Sequence, residues 1–379
     1  MAGSVPNTPI WDTGRWTALP AAAEALTCDV CVVGLGGSGL TAIHELLAKG
    51  VDVIGLDAGT VAGGAAGRNG GLALAGLAPF YHSAVKDIGR ERALGLYRAT
   101  LEEQQRVLAA TPEEARVTGS LRIAVDAAEG EDCVQQFEAM QSDGLPVELY
   151  DGEFGRGLLF PTDLSLNPLA RCRSLALQAV QQGARLFEAS RATDITGESV
   201  TSNGHSIRCG SVIVAVDGHL DQVLPELAPR VRTARLQMLG TEPVTDVRID
   251  RPMYLRDGYE YVQQLPSGAF ALGGFRDMHE EDEWTHDASP TEEIQSLLEQ
   301  FLRDALSVTA PIAYRWAASV GYVEGALPVM EEVRPGVWAI GGYSGTGNLV
   351  GALAGRAAAA AATGSTSELL TLFQGQPSA

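Results

Sequence analysis

Residues Asp29 to Gly59 read DVCVVGLGGSGLTAIHELLAKGVDVIGLDAG, and this stretch decides how the chain folds. Asp29–Val33 is a short, nearly continuous apolar run, the pattern of a strand buried on both faces. Ser38–Lys49 then places Leu40, Ile43 and Leu47 at helical spacing, and Gly50 supplies a C-terminal stop. Val51–Leu56 is a second buried strand that ends at Asp57, completing a βαβ unit. Between strand and helix, Gly34, Gly36 and Gly39 fit GxGxxG. Gly34 permits the tight turn, Gly36 lets a pyrophosphate approach the backbone, and Gly39 lets the helix pack on the strand. Gly37 and Ser38 complete the turn, where free N–H groups at a helix N-terminus suit an anion. Asp57, with Ala58 beside it, follows Gly39 by 18 residues and stands where an acid accepts ribose hydroxyls. The glycines alone are a weak signal. With strand, helix, second strand and acid in register, they predict dinucleotide binding.

Two further glycine-rich turns extend the pattern. GGAAGRNGG, Gly63 to Gly71, holds five glycines in nine residues, a density that is costly for folding without a reason. The reason expected here is a cofactor lying along the backbone beyond the pyrophosphate. Arg68 would offset phosphate charge or orient a ring edge, and Asn69 tolerates turn geometry. GGYSGTGNLVG, Gly341 to Gly351, leads into a helix beginning near Gly347, whose positive end would face a cofactor's anionic edge. The short apolar strand in SVIVAVDGH, Ser211 to His219, contributes Ala215 and Gly218.

Composition excludes other classes. A net charge of −20 argues against nucleic acid, which is held by cations on phosphates, and against an anionic membrane surface. Lysine occurs only at Lys49 and Lys86, which removes it as a catalytic candidate over most of the chain. Five cysteines are too few and scattered for a disulfide framework. Cys28 and Cys31 form a CxxC, but on a strand they point to opposite faces. The N-terminus lacks a basic region followed by an apolar one, and no run of about 18 apolar residues occurs, so a cytoplasmic protein is expected. Arg276 to Asp287, RDMHEEDEWTHD, lacks metal-ligand spacing and reads as an acidic solvated loop; no metal is expected.

A chain of 379 residues is oversized for one core, so two domains are the prior. Nucleotide-type units sit at the start, middle and end, whereas 230–322 is dominated by strand-like runs around one helix, Glu292–Leu306. The expected fold is therefore α/β with α+β. A Rossmann-type binding domain (1–80, 151–228 and 323–379) is interleaved with a substrate domain on an antiparallel sheet with helices (81–150 and 229–322).

VVGLGGSG, GGAAGRNGG, SVIVAVDGH and GYSGTGN, in this order, resemble the D-amino acid oxidase superfamily of FAD enzymes, which includes glycine oxidase, sarcosine oxidase and γ-glutamylputrescine oxidase. The likeness covers nearly the whole chain and is weak across 81–150 and 275–310. It implies extended FAD, hydride transfer from a substrate C–N unit to flavin N5, hydrolysis of the imine, and reoxidation by molecular oxygen to hydrogen peroxide. By position, Asp57 takes the place of the ribose-binding acid. Ala65, Ala66, Arg68, Gly70, Gly71 and Leu72 match the loop along the flavin, Ala192 the residue whose backbone meets adenine, and Gly345, Thr346, Gly347, Asn348 and Leu349 the turn at the flavin edge. No cysteine lies near ASVGY or GYSGTG, so non-covalent FAD is expected.

On the substrate side the resemblance places Tyr261 where a tyrosine holds the substrate carboxylate. The family's carboxylate-binding arginine is replaced by a small or apolar residue near Val320, and a second arginine by Gly345. Arg256 and Arg276 are the candidates to stand in, since guanidinium suits bidentate carboxylate contact; Tyr259 lies between them in sequence. Without the bulky arginine there is room for a larger group on the substrate nitrogen. The expected substrate is an N-substituted glycine or related secondary amino acid. Alternatives are a carboxylate-free amine or γ-glutamyl-polyamine, a flavin-binding sensor or partner without turnover, and a nicotinamide dehydrogenase. The oligomeric state stays open.

Overall fold

The computed structural model describes residues 7–374; Met1–Pro6, where the leader-peptide reading begins, lie outside them. The βαβ unit forms as expected, with strands Val30–Val33 and Val53–Leu56 fully buried around helix Gly37–Ala48. These strands sit in a six-stranded sheet. Its order is Arg185–Phe187, Val53–Leu56, Val30–Val33, Ser211–Val214, Val337–Gly341 and Val329–Arg334; the last strand alone is antiparallel to its neighbour. Helix Val350–Ala362 packs on helix Gly37–Ala48. Gly355 makes that approach close, because a Cβ there would overlap the Ser38 carbonyl oxygen. The alanine run at 357–360 is buried in this contact. Side chains no larger than a methyl let a helix lie this deep.

The second large sheet has eight strands. Its order is Ile312–Tyr322, Arg232–Thr241, Phe270–Gly273, Glu260–Gln264, Met253–Leu255, Ser120–Ala124, Gly155–Phe160 and Glu148–Gly152. All neighbours are antiparallel except Met253–Leu255 on Ser120–Ala124. Strand Gly155–Phe160, which the sequence division puts with the nucleotide unit, belongs to this sheet. Helix Glu292–Asp304 covers one face through Ile294, Leu298 and Leu302, against Leu239, Val262, Phe270 and Leu272. Across the sheet, Trp316, Met238, Gly273, Tyr261, Tyr254 and Arg122 occupy one row by register. Two small sheets, around His205–Arg208 and Leu164–Leu166, were not expected, since strands of two to four residues carry too little periodicity to read.

The acidic run at 276–287 is solvated at Glu280, Glu281, Asp282 and Asp287, as expected, but not throughout. Glu283 is buried and accepts from Arg235 and Gln237, and His286 contacts Asp221 at 2.9 Å. Arg235 points inward from a strand and needs a counter-charge, and the run supplies it. Among the described residues no helix is long and apolar enough to cross a membrane, and no His/Cys/Asp/Glu group is placed to hold a metal. His44, on the first helix, contacts the Leu175 carbonyl oxygen at 2.9 Å, a structural contact.

Candidate functional site

A cavity of about 1150 Å³ is lined by residues from both large sheets. It exceeds the roughly 300–1,000 Å³ of a pocket for one drug-sized ligand, so it has room for a cofactor and a substrate together. Gly34, Gly36, Gly37, Ser38, Asp57, Ala58, Ala65, Ala66, Arg68, Asn69, Gly70, Leu72, Ala192, Ala215, Gly345, Thr346, Gly347 and Asn348 all line it, with Tyr259, Tyr261 and Arg276. Residues spread over more than 300 positions of chain thus meet on one space.

The N-terminus of helix Gly37–Ala48 fits an anion. Its N-cap is Gly36, no side chain caps it, and its first turn carries no acid, so backbone N–H groups stay free for a ligand. Asp57 accepts from the N–H of Leu35 (2.9 Å) and Gly59 (2.8 Å). One bond on each oxygen leaves lone pairs for ribose hydroxyls. Burial pushes the Asp57 carboxyl above its ordinary range. Before helix Val350–Ala362 the chain already turns, Val350 and Gly351 N–H donating to the Thr346 and Gly347 carbonyls, so the end that lines the cavity is Thr346, Gly347 and Asn348. These features fit the expected dinucleotide at both ends.

Asp217, which the sequence reading missed, organises the third turn. Held at φ 42°, it accepts from the N–H of Gly342 (2.9 Å), Tyr343 (3.3 Å) and Gly321 (3.1 Å). An acid placed directly after a buried strand was the available signal. Asn69 and Asn348 then join the second and third turns. Asn69 donates to the Ala65 and Ala66 carbonyls and accepts from Gly71 N–H. Asn348 donates to Asn69 Oδ1 (3.0 Å) and the Leu72 carbonyl (2.8 Å). Asn348→Ala removes both donations and should weaken cofactor affinity about tenfold while the protein stays folded; a fluorescence titration of the apo-protein checks this.

Several assignments need correction. Arg68 braces the protein: Nε donates to the Ala317 carbonyl (2.7 Å) and Nη2 to the Asn7 carbonyl (3.0 Å) and side chain. Nε and Nη2 are thus spent on the chain, while Arg68 still lines the cavity. The glycine-rich loop is only partly cleared for a cofactor. A Cβ at Gly70 would sit 2.9 Å from the Tyr261 ring, and one at Gly71 would overlap the Leu166 carbonyl and Gln263. Gly71, Gly218 and Leu349 do not line the cavity. Gly218 lies against the Ser319 backbone and Leu349 is fully buried in a core cluster. Gly39 also lies off the cavity, packed on Gly34 and Val32 in the close helix–strand approach expected of it. Arg256 is consumed elsewhere, since it pairs with Glu260 and with Asp277 (2.8 Å), and it does not line the cavity. These neighbours hold its guanidinium well above the usual arginine range, and it is not available to a substrate.

Arg276 is placed differently. Its guanidinium sits 4.8 Å from the Trp284 ring centroid, 4.9 Å from Tyr322 and 5.7 Å from Tyr259. π faces fix the cation, Tyr322 lies close enough to feel its charge, and Nη1 is buried with no hydrogen-bond partner. Tyr261 lies along the sheet with its ring over Gly70 and its hydroxyl over Gly273, where any Cβ would collide with it. Burial pushes its hydroxyl far above the ordinary tyrosine range, with neighbouring Tyr322 adding to the effect. Tyr259, 37% exposed, stands at the cavity wall beside Arg276.

Asp163, also missed, lines the cavity. Desolvation pushes its carboxyl up to about 6. The folded state therefore holds this proton more tightly than the unfolded chain, so the group withdraws up to about 3 kcal/mol of stability as pH rises from about 4 to 6. Thermal melts across that range, with Asp163→Asn as reference, should show a falling contribution.

The chain matches the family described as DAO, FAD dependent oxidoreductase, over residues 29–361. It is 26% identical over 400 residues to a probable oxidoreductase OrdL of Rhizobium meliloti, covering 98% of this chain and 89% of the relative. It is 25% identical over 364 residues to γ-glutamylputrescine oxidoreductase of Escherichia coli, covering 88% and 83%. Glycine oxidase from Geobacillus kaustophilus shares the fold, with a TM-score of 0.74 at 16% identity, covering 94% of this chain and all of that one. With the cavity, three glycine turns and the uncapped start of helix Gly37–Ala48 as its own evidence, the chain belongs to the DAO family of FAD-dependent oxidoreductases.

Proposed function

We propose that the protein is an FAD oxidase of an N-substituted glycine or related secondary amino acid, releasing glyoxylate or another oxo acid, an amine and hydrogen peroxide. One observation carries this reading: Arg276 lines the same cavity as Tyr261, held by the rings of Trp284, Tyr322 and Tyr259 with no acid paired to it among the described residues, and the two side chains suit a carboxylate. Bound FAD supplies the two-electron acceptor for the hydride on the carbon beside nitrogen. The remaining work is positioning: Arg276 and Tyr261 hold the carboxylate, and apolar walls on either side of Tyr261, at Leu236, Met238 and Val320 and along loop 74–80, leave room for a nitrogen substituent. The nitrogen lone pair forms C=N as the hydride leaves, and water hydrolyses that bond. Molecular oxygen as final acceptor and a cytoplasmic location belong to the same proposal.

A second reading, a carboxylate-free amine or γ-glutamyl-polyamine, draws support from the Escherichia coli relative. Anaerobic addition of sarcosine, N-ethylglycine and proline, compared with butylamine and putrescine, separates the two. Flavin bleaching by the first group supports the proposal. Bleaching by amines alone supports the second reading, and no bleaching by any compound favours a flavin protein without turnover. Tyr261→Phe should raise KM about tenfold for carboxylate substrates, with a smaller change in kcat.

A further inference from the structure

Beyond Tyr261 the cavity continues into a compartment that the oxidation step leaves unused. The apolar loop 74–80 forms one wall, and aromatic rings form much of the rest. Tyr254 runs near-parallel to Phe80 and Phe160, with centroids 6.5 Å from each, wider than a face-to-face contact, and Tyr97 meets Tyr81 edge-on at 5.4 Å. Two polar groups line this apolar space. Asp163 is 2% exposed and accepts only from neutral donors: Ser120 (2.6 Å), Gln104 (2.8 Å) and Ala75 N–H (2.9 Å). Gln136 gives its oxygen to Arg122, while its nitrogen has only the Met140 sulfur at 3.8 Å.

The charges have one sign. Arg122, the neighbouring cation, lies over the Phe80 ring at 3.4 Å and is paired with Asp132 and Asp257. Asp257 itself lines the cavity. No cation among the described residues is paired with Asp163. A buried carboxylate without a counter-ion is costly, and the faces of tyrosine rings attract cations.

We infer that this compartment binds a cation at the far end of the substrate, an alkylammonium carried on the substituent of the reacting nitrogen, against Asp163 and the rings of Tyr97 and Tyr254. The inference rests on the N-substituted-glycine reading for where that group is attached. An anionic tail meets repulsion from Asp163, and a plain alkyl tail leaves Asp163 unpaired.

The FAD-loaded enzyme is tested with N-butylglycine, N-(4-aminobutyl)glycine and N-(3-carboxypropyl)glycine. The aminobutyl compound should exceed the butyl compound about tenfold in kcat/KM, and the carboxypropyl compound should fall below both. Asp163→Asn should bring the aminobutyl-to-butyl ratio towards one. Should that variant not fold, Tyr254→Leu serves, and it should lower the same ratio. A butyl compound equal to or better than the aminobutyl one overturns the inference while leaving the proposed function standing. A binding arm needs no turnover: butylammonium should shift the flavin spectrum at lower concentration than 1-butanol, and Asp163→Asn should narrow that gap. If none of the glycines is oxidised, the proposed function fails and the binding arm alone decides the compartment; equal binding of the ammonium and the alcohol there overturns it.

Discussion

Gly36→Val should give a folded, colourless protein. The backbone at Gly36 is extended, φ −83° and ψ −175°, so any L-residue adopts it without strain. A Cβ there meets only Ala66 Cβ, at 3.2 Å, a contact relieved by a shift of a few tenths of an ångström. The valine methyls would stand in the cavity beside the free N–H groups that start helix Gly37–Ala48, where the pyrophosphate is expected. We expect stability of the apo-protein to change by about 1 kcal/mol or less and FAD affinity to drop by at least about a hundredfold, near 3 kcal/mol. Gly39→Ala makes the contrast. Its Cβ would overlap the Gly34 carbonyl oxygen, so this smaller change should prevent folding. Circular dichroism with visible absorbance separates the two outcomes. Gly36→Val protein that retains stoichiometric FAD would remove the pyrophosphate from this turn.

Arg276→Gln carries the second large effect. Glutamine keeps a hydrogen-bond donor but loses the charge and the planar fork, leaving a buried substrate carboxylate without its counter-ion. Loss of kcat/KM for carboxylate substrates should reach about 10²- to 10³-fold, mostly in KM, with FAD content unchanged. Arg276→Lys should restore little, because an ammonium does not use the faces of Trp284, Tyr322 and Tyr259 in the same way. Equal activity of parent and Arg276→Gln on sarcosine would remove the carboxylate anchor and favour the amine reading.

The nucleotide half was legible because each of its signals is local. A buried strand, three glycines, a helix and an acid lie within 31 residues, and each constrains the next. The substrate half was less legible because its determinants are set by pairing across distant strands. Tyr261 and Tyr254 become neighbours only through register, and Arg276 and Trp284 only through the fold of the acidic run. Arg256 and Arg276 look alike as residues in a sequence. Glu260 and Asp277 separate them, by occupying the first and leaving the second. The glycines of 63–71 were recognised as purposeful, but their purpose is divided. Gly70 and Gly71 make space for protein atoms as much as for a ligand. Asp163 escaped notice because it belongs to no spaced motif, and Asp217, although inside SVIVAVDGH, because its partners are distant; each is held by donors that only the folded chain brings together.

We propose that one long cofactor spans the cavity, its phosphates on the Gly34–Gly39 turn, its ribose at Asp57 and its ring beside the Gly345–Asn348 turn. Titration of the apo-protein with FAD and, separately, with FMN checks this. One FAD should bind per chain and FMN should bind at least about a hundredfold more weakly, since FMN lacks the adenylate half that the first turn and Asp57 would hold. FMN binding as tightly as FAD, or uptake of neither, would contradict it.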